Sequence, residues 1–360
     1  MTPRERILAT LERKGTDRTP VDLWHTPEVG AALRRHTGAA TNLEMYKALR
    51  LDKIVWVFAN YKFASGDISG SQVGAQSGIV RTTWGAPLKG IQAGSAHYDE
   101  VARAPMAGYE SPGDVARYPY WPEAQRFDYA EALRQASEAS GDFAVIGPWV
   151  SFFEIYCQLR GLEQALMDLA LNETLVAAVL DHVEAIQTEM MTRFMTELRG
   201  HLDLVFISDD LGSQTGLLMS PAMWRQHLAP RMRRWCDLVH SFGLKVLFHT
   251  DGASEPLIGP LIDCGVDVLN PIQHLCPGMD TAGLKNKYGR HLIFHGGVDN
   301  QHVLPFGTPH DVRAEVRMLK ETLGEGGRGF ICCSCHNVQA GTPVENILAM
   351  IEEAAATPGR

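Results

Sequence analysis

Long hydrophobic runs are missing from this sequence of 360 residues. No apolar run approaches the roughly 18 residues that a membrane-spanning helix requires, so a membrane protein is not expected. A basic face is missing as well, because 33 Lys and Arg residues stand against 42 Asp and Glu residues and the net charge is −9. Nucleic acids and anionic membranes bind to basic faces, so neither is an expected partner.

Secretory features are equally scarce. The opening Met1-Thr2-Pro3-Arg4-Glu5 predicts a helix capped by Thr2, with Glu5 placed for a capping box, rather than a signal peptide. The seven cysteines are an odd number in a long chain, so we expect thiols or metal ligands and not a disulfide framework. These features predict a cytoplasmic protein.

No internal repeat, linker or low-complexity tract divides the chain. Hydrophobic residues make up 45% of the sequence and charged residues 21%, which is ordinary for a globular protein that buries a large core. Length alone does not set the number of domains, because α/β barrels occupy this length as one unit. We expect residues 1–360 to form a single domain.

The sequence does contain a sustained alternation of short β-branched apolar runs and amphipathic helical stretches, which is typical of a parallel sheet covered by helices. Asn172 to Leu198 predicts one long one-sided helix. The stretch of residues 60–126, rich in Gly, Ser, Pro and aromatics, predicts hairpins and loops over one barrel mouth. Strands are predicted at Pro20–Leu23, Ile54–Phe58, Ala144–Ile146, Leu202–Ile207, Lys245–Phe248, Val266–Leu269, Leu292–Phe294 and Gly329–Cys333. Eight such strands favour a (β/α)8 TIM barrel of the α/β class.

Polar, ligand-capable side chains follow nearly every predicted strand. In a TIM barrel the active site is built from the C-terminal ends of the strands and the loops after them. A purely structural barrel does not need such side chains there, so the pattern favours an enzyme. The residues at these positions include Trp149, Glu154, Asp209, Asp210, Gln214, His249, Asp251, Asn270, Gln273, His295, Asp299, Cys332, Cys333, Cys335 and His336.

The densest cluster is the segment Cys332 to His336, which closure of the barrel would place opposite His249 and Asp251. Thiolate and imidazole suit zinc, and a catalytic zinc keeps one coordination position open. Strand alternation places Cys333 on the opposite face from Cys332 and on the same face as Cys335. The alternative is that these cysteines are reduced thiols of the core.

Two further sites leave alternatives open. Asp209 and Asp210 either present a carboxylate to substrate or metal, or serve as a helix N-cap and a surface residue before Ser220-Pro221, or divide these two roles between them. His295 and Asp299 flank two glycines, which either let the backbone approach a ligand or simply make a turn.

Several motifs resemble the methyltransferase-like branch of the uroporphyrinogen decarboxylase superfamily, and together they cover the chain nearly end to end. They are Pro3-Arg4-Glu5-Arg6, Arg18-Thr19-Pro20-Val21, Phe153-Glu154, Leu159-Arg160-Gly161-Leu162-Glu163, Asp209-Asp210-Leu211-Gly212-Ser213-Gln214, Gly265 to Gln273, Gly296-Gly297-Val298-Asp299, Leu304 to Pro309, His336-Asn337-Val338-Gln339 and Thr342 to Asn346.

The resemblance implies methyl transfer rather than decarboxylation of a porphyrinogen. The decarboxylases carry arginines just after the first strand to hold carboxylates, whereas this chain has Asp22-Leu23-Trp24-His25 there. The methyltransferases move a methyl group between a small substrate, such as an aryl or alkyl methyl ether or a thiol, and a corrinoid (cobalamin). Since no corrinoid-binding module is recognisable here, the resemblance implies a separate corrinoid protein as partner.

The zinc methyltransferases of the superfamily use a His-x-Cys motif and a further ligand near the C-terminus. Here His249-Thr250-Asp251 keeps the histidine but has aspartate in place of the cysteine, and the C-terminal position falls on His336. This departure leaves three alternatives: Asp251 binds the metal in place of the cysteine, a thiol from Cys333 or Cys335 binds it, or the metal site is lost. The resemblance implies zinc held by His249 and His336 with one or two of Asp251, Cys333 and Cys335.

The proposed methyl transfer also needs residues that move a proton and residues that bind substrate. Glu154, Asp209 or Asp210 would handle the proton at the reacting oxygen. Rival hypotheses are a decarboxylase that acts on a small acid without metal, and a non-catalytic barrel that binds a corrinoid or another ligand. Family members often pair, so a homodimer is compatible with the sequence. The candidate substrate-binding residues are Trp24, Trp149, Gln214, Gln273 and Asp299.

Overall fold

The computed structural model describes residues 1–63, 68–69, 80–93, 96–324 and 328–357. The predicted excursion over residues 60–126 therefore lies partly outside the described residues. The described strands are β1 (Ile54–Trp56), β2 (Ile68–Ser69), β3 (Val80–Arg81), β4 (Leu88–Ala93), β5 (Ala96–Val101), β6 (Ala144–Val150), β7 (Leu204–Ser208), β8 (Lys245–His249), β9 (Val268–Asn270), β10 (Ile293–His295) and β11 (Phe330–Ile331).

The described helices surround these strands and alternate with most of them along the chain. They are α1 (Pro3–Leu11), α2 (Pro27–Thr37), α3 (Asn42–Ala48), α4 (Pro112–Ala116), α5 (Tyr129–Ala139), α6 (Phe153–Arg160), α7 (Leu162–Leu171), α8 (Glu173–Glu197), α9 (Pro221–His227), α10 (Ala229–Ser241), α11 (Glu255–Cys264), α12 (Thr281–Tyr288), α13 (Val303–Phe306), α14 (Pro309–Leu323) and α15 (Val344–Ala355). The predicted long helix is α8, for which Asn172 is the N-cap.

The central sheet is parallel throughout, with the strand order β1-β6-β7-β8-β9-β10-β11. Its seven strands correspond to seven of the eight predicted ones, with bounds that differ by a few residues. Neighbouring strands are joined by crossovers that carry helices, as a parallel sheet requires, and the β1–β6 crossover contains the excursion in addition to α5. The predicted α/β TIM-barrel fold is confirmed.

The eighth predicted strand, Pro20–Leu23, is reduced to a single bridge between Val21 and Cys332. On one side, Asp22 N donates to Cys332 O at 2.8 Å; on the other, Asp52 N donates to Val21 O at 2.8 Å. The segment therefore joins β11 to the residues before β1. No longer ladder forms because side chains take the backbone partners: Val21 N donates to the Asp52 carboxylate and Ile54 N to the Asp22 carboxylate.

Two apolar layers pack on the two faces of the sheet. The outer one lies between sheet and helices, and includes Val205, Phe248 and Cys332. The inner one fills the barrel and includes Ile146, Leu204, Leu247, Ile331 and Cys333. This alternation follows from the period of two along a strand.

Helix α1 covers the bottom of the barrel. Its Ile7 and Leu11 belong to the inner layer. Arg4 forms an ion pair with Asp203, just before β7, at 2.8 Å, and its backbone N–H bonds Asp142 O, just before β6. Since the N-terminal ends of the strands are closed in this way, the opposite, C-terminal end is the open mouth.

The excursion contains the antiparallel hairpin β4–β5 and the short helix α4 in its described part. It packs on the long helix α8, where the Trp121 ring stacks on His182 with ring centroids 4.8 Å apart. Hairpins and loops were expected here, and helix α4 is an addition to that expectation. Among the described helices, none combines the length and apolar character that crossing a membrane demands.

Candidate functional site

A cavity of about 790 Å³ lies at the open mouth of the barrel. Part of its wall comes from the ends of β1, β6, β7 and β8 and from the loop after β11, and the rest comes from the segment before α2 and from α2, α3 and α5. Aromatic rings form one part of its wall, and titratable groups form another. Its lining includes Trp24, Trp56, Phe58, Trp149, Glu154, Phe206, Ser208, Asp210, His249 and His336.

Three potential metal ligands meet beside this cavity: His249 at the end of β8, Asp251 just beyond it, and His336 in the loop after β11. One ligand atom from each residue lies within 4.8 Å of the others. His249 Nε2 is 3.9 Å from Asp251 Oδ1, and the two imidazole centroids are 5.5 Å apart. The structure therefore brings together three of the five predicted metal ligands.

The donor atoms of this triad suit a divalent cation. Asp251 Oδ1 is buried without a hydrogen-bond partner, which is costly for a carboxylate unless a positive charge compensates it. Burial raises the pKa of Asp251, and the two imidazoles oppose that rise. Burial also lowers the pKa of His336, so the neutral imidazole that a metal requires is favoured.

The two imidazoles differ in their readiness to bind. His249 Nδ1 is 2.6 Å from Asn270 Oδ1, so Nε2 is left as the ligand atom. His336 Nδ1 instead accepts a hydrogen bond from the Asn337 backbone at 2.8 Å. A neutral His336 then carries its proton on Nε2, so metal binding requires either a half-turn of this ring or displacement of the Asn337 N–H from Nδ1.

Glu154 and Asp210 face the same cavity. Glu154, in the first turn of α6, accepts a hydrogen bond from Ser208 Oγ. Burial raises the pKa of Glu154 to about 8, and the nearby Asp210 charge adds to this rise. Asp210 Oδ1 accepts a hydrogen bond from the Asp251 backbone at 3.0 Å and lies 3.8 Å from His249 Nε2. Glu154 is therefore protonated at neutral pH and can donate a proton.

Asp209 does not face the cavity. Its side chain is fully buried and accepts hydrogen bonds from Ser151 Oγ at 2.7 Å and from the backbone N–H groups of Phe153 and Glu154 at 2.6 and 3.1 Å. It caps the N-terminus of α6, so its predicted catalytic role has no support in the geometry. Of the two alternatives for this pair of aspartates, the structure places Asp209 at a helix cap and Asp210 at the cavity.

The Asp209→Asn variant should lose about 2–3 kcal/mol of unfolding free energy, because an amide group cannot accept all of these buried donors. Asp210→Asn is the matched control and should cost less than about 1 kcal/mol, since Asp210 lies at the surface of the cavity. Urea unfolding of both metal-free variants measures the difference. Equal losses would show that Asp209 is not the cap described here.

Aromatic side chains form a box next to the triad. Trp24 and Trp56 have ring centroids 5.4 Å apart, and Trp56 and Phe206 are 4.3 Å apart, both edge to face. Phe206 lies 5.7 Å from the His249 ring. Trp149 also lines the cavity. The predicted substrate-binding residues Trp24 and Trp149 are thus both in the wall of this cavity.

Gln214, Gln273 and Asp299 lie elsewhere and do not line the cavity. They surround a small void of about 20 Å³, together with Cys335. Asp299 bonds the backbone of Gln301 and His302 in the turn after β10, and Gln273 accepts from Gly252 N. Because Gln273 and Asp299 bond the backbone of neighbouring loops and none of the three residues lines the cavity, the geometry gives no support for their predicted contact with substrate there.

The two predicted thiol ligands are also separate from the triad. Cys335 Sγ is 3.4 Å from Ile272 O, and Cys333 lies inside the barrel beside Asp22 and His295. Without a metal, burial raises the pKa of both thiols well above the ordinary value. Since neither sulfur belongs to the group formed by His249, Asp251 and His336, the geometry favours the alternative considered for this cluster, namely buried core thiols.

Lys53 and Ser208 face the cavity but were not among the predicted site residues. Lys53 directly precedes β1 in the sequence, a position typical of a surface lysine, and only its pairing with Asp22 at 2.9 Å explains its burial. Ser208 ends β7 and was found by the rule about strand ends, but no role was predicted for it.

The chain has clear relatives among known families and folds. A family model described as Uroporphyrinogen decarboxylase (URO-D) matches residues 106–357, more than half of the chain. A methyltransferase from Methanosarcina mazei superposes with a TM-score of 0.67 at 20% sequence identity, over 98% of this chain and 98% of that one. Dispersin B matches with a TM-score of 0.39 at 9% identity, over 94% of this chain and 98% of that one. No curated protein matches the sequence.

These comparisons establish fold and family. At 20% identity, the likeness to the archaeal methyltransferase shows a shared fold over the whole chain. The match to Dispersin B is too weak to support a conclusion about this chain.

Proposed function

Because the chain belongs to the uroporphyrinogen decarboxylase family, we propose that it is a zinc-dependent methyltransferase that uses a corrinoid protein as partner. It moves a methyl group between the corrinoid and a small substrate, namely an aryl or alkyl methyl ether or a thiol. The observation that carries the proposal is the unpartnered, buried Asp251 Oδ1 between two imidazoles.

Zinc would be held by His249, Asp251 and His336. Two nitrogens and one oxygen are a ligand set that catalytic zinc uses, and three protein ligands leave a position open for substrate. Zinc bound there would act as a Lewis acid, which improves an ether oxygen as leaving group or lowers the pKa of a thiol.

The cavity suits the apolar part of such a substrate. Its volume of about 790 Å³ falls within the range of small-molecule sites. The rings of Trp24, Trp56 and Phe206 offer edges and faces to an aryl group. An aryl methyl ether would therefore pack in the aromatic box with its oxygen toward the triad.

Glu154 supplies the proton that ether cleavage requires. When the carbon–oxygen bond breaks, the reduced corrinoid of the partner would accept the methyl group and would provide both electrons of the new bond. The departing oxygen takes a proton, and Glu154 carries one at neutral pH because its pKa is raised to about 8. In the reverse direction, the same carboxylate accepts the proton.

The zinc content of the purified protein tests the proposal. We expect about one zinc per chain, an at least tenfold weaker zinc affinity in Asp251→Asn, and unchanged affinity in Cys335→Ser. Asp251→Asn keeps the shape of the side chain but removes the charge that the two imidazoles share.

A methyl-transfer assay complements the zinc measurement, with reduced cobalamin as acceptor and a panel of aryl methyl ethers as donors. The absence of zinc from the wild-type protein, even after supplementation, would overturn the zinc mechanism and favour a decarboxylase that acts on a small acid. Loss of zinc from Cys335→Ser would make that thiol a ligand.

A further inference from the structure

Buried polar side chains form a continuous hydrogen-bonded chain through the barrel, from Lys53 to His249. Lys53 Nζ is 2.9 Å from Asp22 Oδ1, and His295 Nε2 is 3.0 Å from Asp22 Oδ2. Asn270 Nδ2 is 2.7 Å from His295 Nδ1, and Asn270 Oδ1 is 2.6 Å from His249 Nδ1. None of the five residues is more than 5% exposed.

The direction of each hydrogen bond is fixed by its chemistry. An ammonium group only donates and a carboxylate only accepts, so His295 Nε2–H must donate to Asp22. In a neutral imidazole His295 Nδ1 is then an acceptor, and the amide nitrogen of Asn270 donates to it. The backbone carbonyl of His295, which can only accept, lies 3.4 Å from the same Asn270 nitrogen and supports this orientation.

The remaining oxygen of Asn270 therefore faces His249 Nδ1, which must donate. We infer that Asn270 and His295 are positioning residues that hold His249 as its Nδ1–H tautomer, so that Nε2 presents a lone pair beside Asp251. The tautomer follows from the hydrogen bonds alone, whereas the role of that lone pair in metal binding rests on the proposed function. Outer partners of this kind fix the tautomer and orientation of metal-binding histidines in general.

A second metal site is the competing interpretation of the buried end of the chain, because Asp22, His295 and Cys333 also lie within ligand distance of one another. Here, however, both carboxylate oxygens and both imidazole nitrogens already have partners. Lys53 provides the positive charge that a metal would supply. The Asp22 cluster therefore serves as an anchor for His295 and leaves the metal to the triad.

Tautomer measurement in the metal-free protein tests the inference without reference to activity. Long-range nitrogen–proton NMR of histidine-labelled protein should show His249 as the Nδ1–H tautomer, and His249→Gln assigns the signal. In Asn270→Leu the signal should change to the Nε2–H form, since the acceptor for Nδ1–H is gone. Asn346→Leu is the matched control, because Asn346 is another buried asparagine whose bonds to Leu304 O and Gly307 O join α15 to α13 and its end and involve no member of the buried chain.

Zinc affinity measured by chelator competition gives a second readout. Asn270→Leu should bind zinc about 10- to 100-fold more weakly. Asn270→Asp should recover part of the loss, because its carboxylate accepts from His249 Nδ1–H but cannot donate to His295 Nδ1, and Asn346→Leu should equal the wild type. If Asn270→Leu does not fold, His295→Gln replaces it and should give a mixture of both tautomers.

The possible failures are distinguishable. An Nε2–H tautomer in the wild-type protein, or unchanged affinity in Asn270→Leu, would overturn the positioning role. A wild-type protein with the Nδ1–H tautomer that binds no zinc would overturn the zinc mechanism and leave the tautomer assignment intact.

Discussion

The His249→Ala variant should lose its zinc and lose methyl transfer by about 10³-fold or more, while the barrel stays folded. His249 Nε2 lies 3.8 Å from Asp210 Oδ1 and 3.9 Å from Asp251 Oδ1. Removal of the imidazole therefore takes away one zinc ligand and leaves the two carboxylates without this neighbour. A Lewis acid contributes several kcal/mol of transition-state stabilisation, which sets the expected loss of rate. His336→Ala should behave in the same way.

The measurement combines zinc content, methyl-transfer rate and the thermal unfolding midpoint. His227→Ala is the matched control, because His227 is similarly buried but its Nε2 bonds Leu169 O among the outer helices. This control should lower the unfolding midpoint and keep both zinc and rate. A His249→Ala protein that retains zinc and full activity would remove the triad from the mechanism.

The sequence predicted that His336 would lie opposite His249 and Asp251 because strand ends follow simple rules, but it left open which of Asp251, Cys333 and Cys335 completes the ligand set. Apolar β-branched runs locate the strands, and parallel strands bring their C-terminal ends to one mouth, so His249 and His336 were expected to meet although 87 residues separate them in the numbering. The aspartate in place of the expected cysteine was also visible. The structure adds that Asp251 Oδ1 is buried and unpartnered between the imidazoles.

The sequence could not separate side chains that face the cavity from those that hold the loops. Gln273 and Asp299 follow strand ends as His249 does, yet their oxygens bond backbone N–H groups of neighbouring loops. That choice depends on the backbone path after the strand, which is set by tertiary packing and not by local pattern. The same holds for Cys335, whose distance from the triad depends on the turn after β11.

The buried chain from Lys53 to His249 was invisible for a different reason. Each member is separated from its partner by more than 20 residues, and the pairing of Asp22 with His295 spans 273 positions. Hydrophobic periodicity carries no information about such polar contacts. The short bridge at Val21 could not be predicted for the same reason. Carboxylates of Asp22 and Asp52 accept the backbone hydrogen bonds there, in place of the strand ladder that the apolar pattern predicts.

The Glu154→Gln variant should slow ether demethylation by about 10²-fold or more, since a positioned general acid contributes at least this factor. The wild-type rate should fall as pH rises through the pKa of Glu154, which burial raises and which the charge of a bound zinc would hold below the value of about 8 for the metal-free site. The variant has no such proton and should lack this decline. Glu163→Gln, on the exposed face of α7, is the control and should follow the wild-type profile. If the rate of Glu154→Gln still falls with rising pH as in the wild type, another group causes that decline.

The same substitution should change stability in a pH-dependent manner. Burial raises the pKa of Glu154 from 4.5 to about 8 in the folded state, so folding favours the protonated form. Its favourable contribution is complete below pH 4.5 and is lost as pH rises through about 8. Glutamine keeps the acceptor for Ser208 and has no charge to bury.

Metal-free Glu154→Gln should therefore match the wild type near pH 5 and exceed it at pH 9. Each pKa unit corresponds to about 1.4 kcal/mol, so the gain has an upper value of about 5 kcal/mol. Urea unfolding at the two pH values measures it. A gain of equal size at both pH values would mean that the Glu154 carboxylate is not held in a buried, protonated state. The proton for the departing oxygen would then have to come from Asp210 or from solvent.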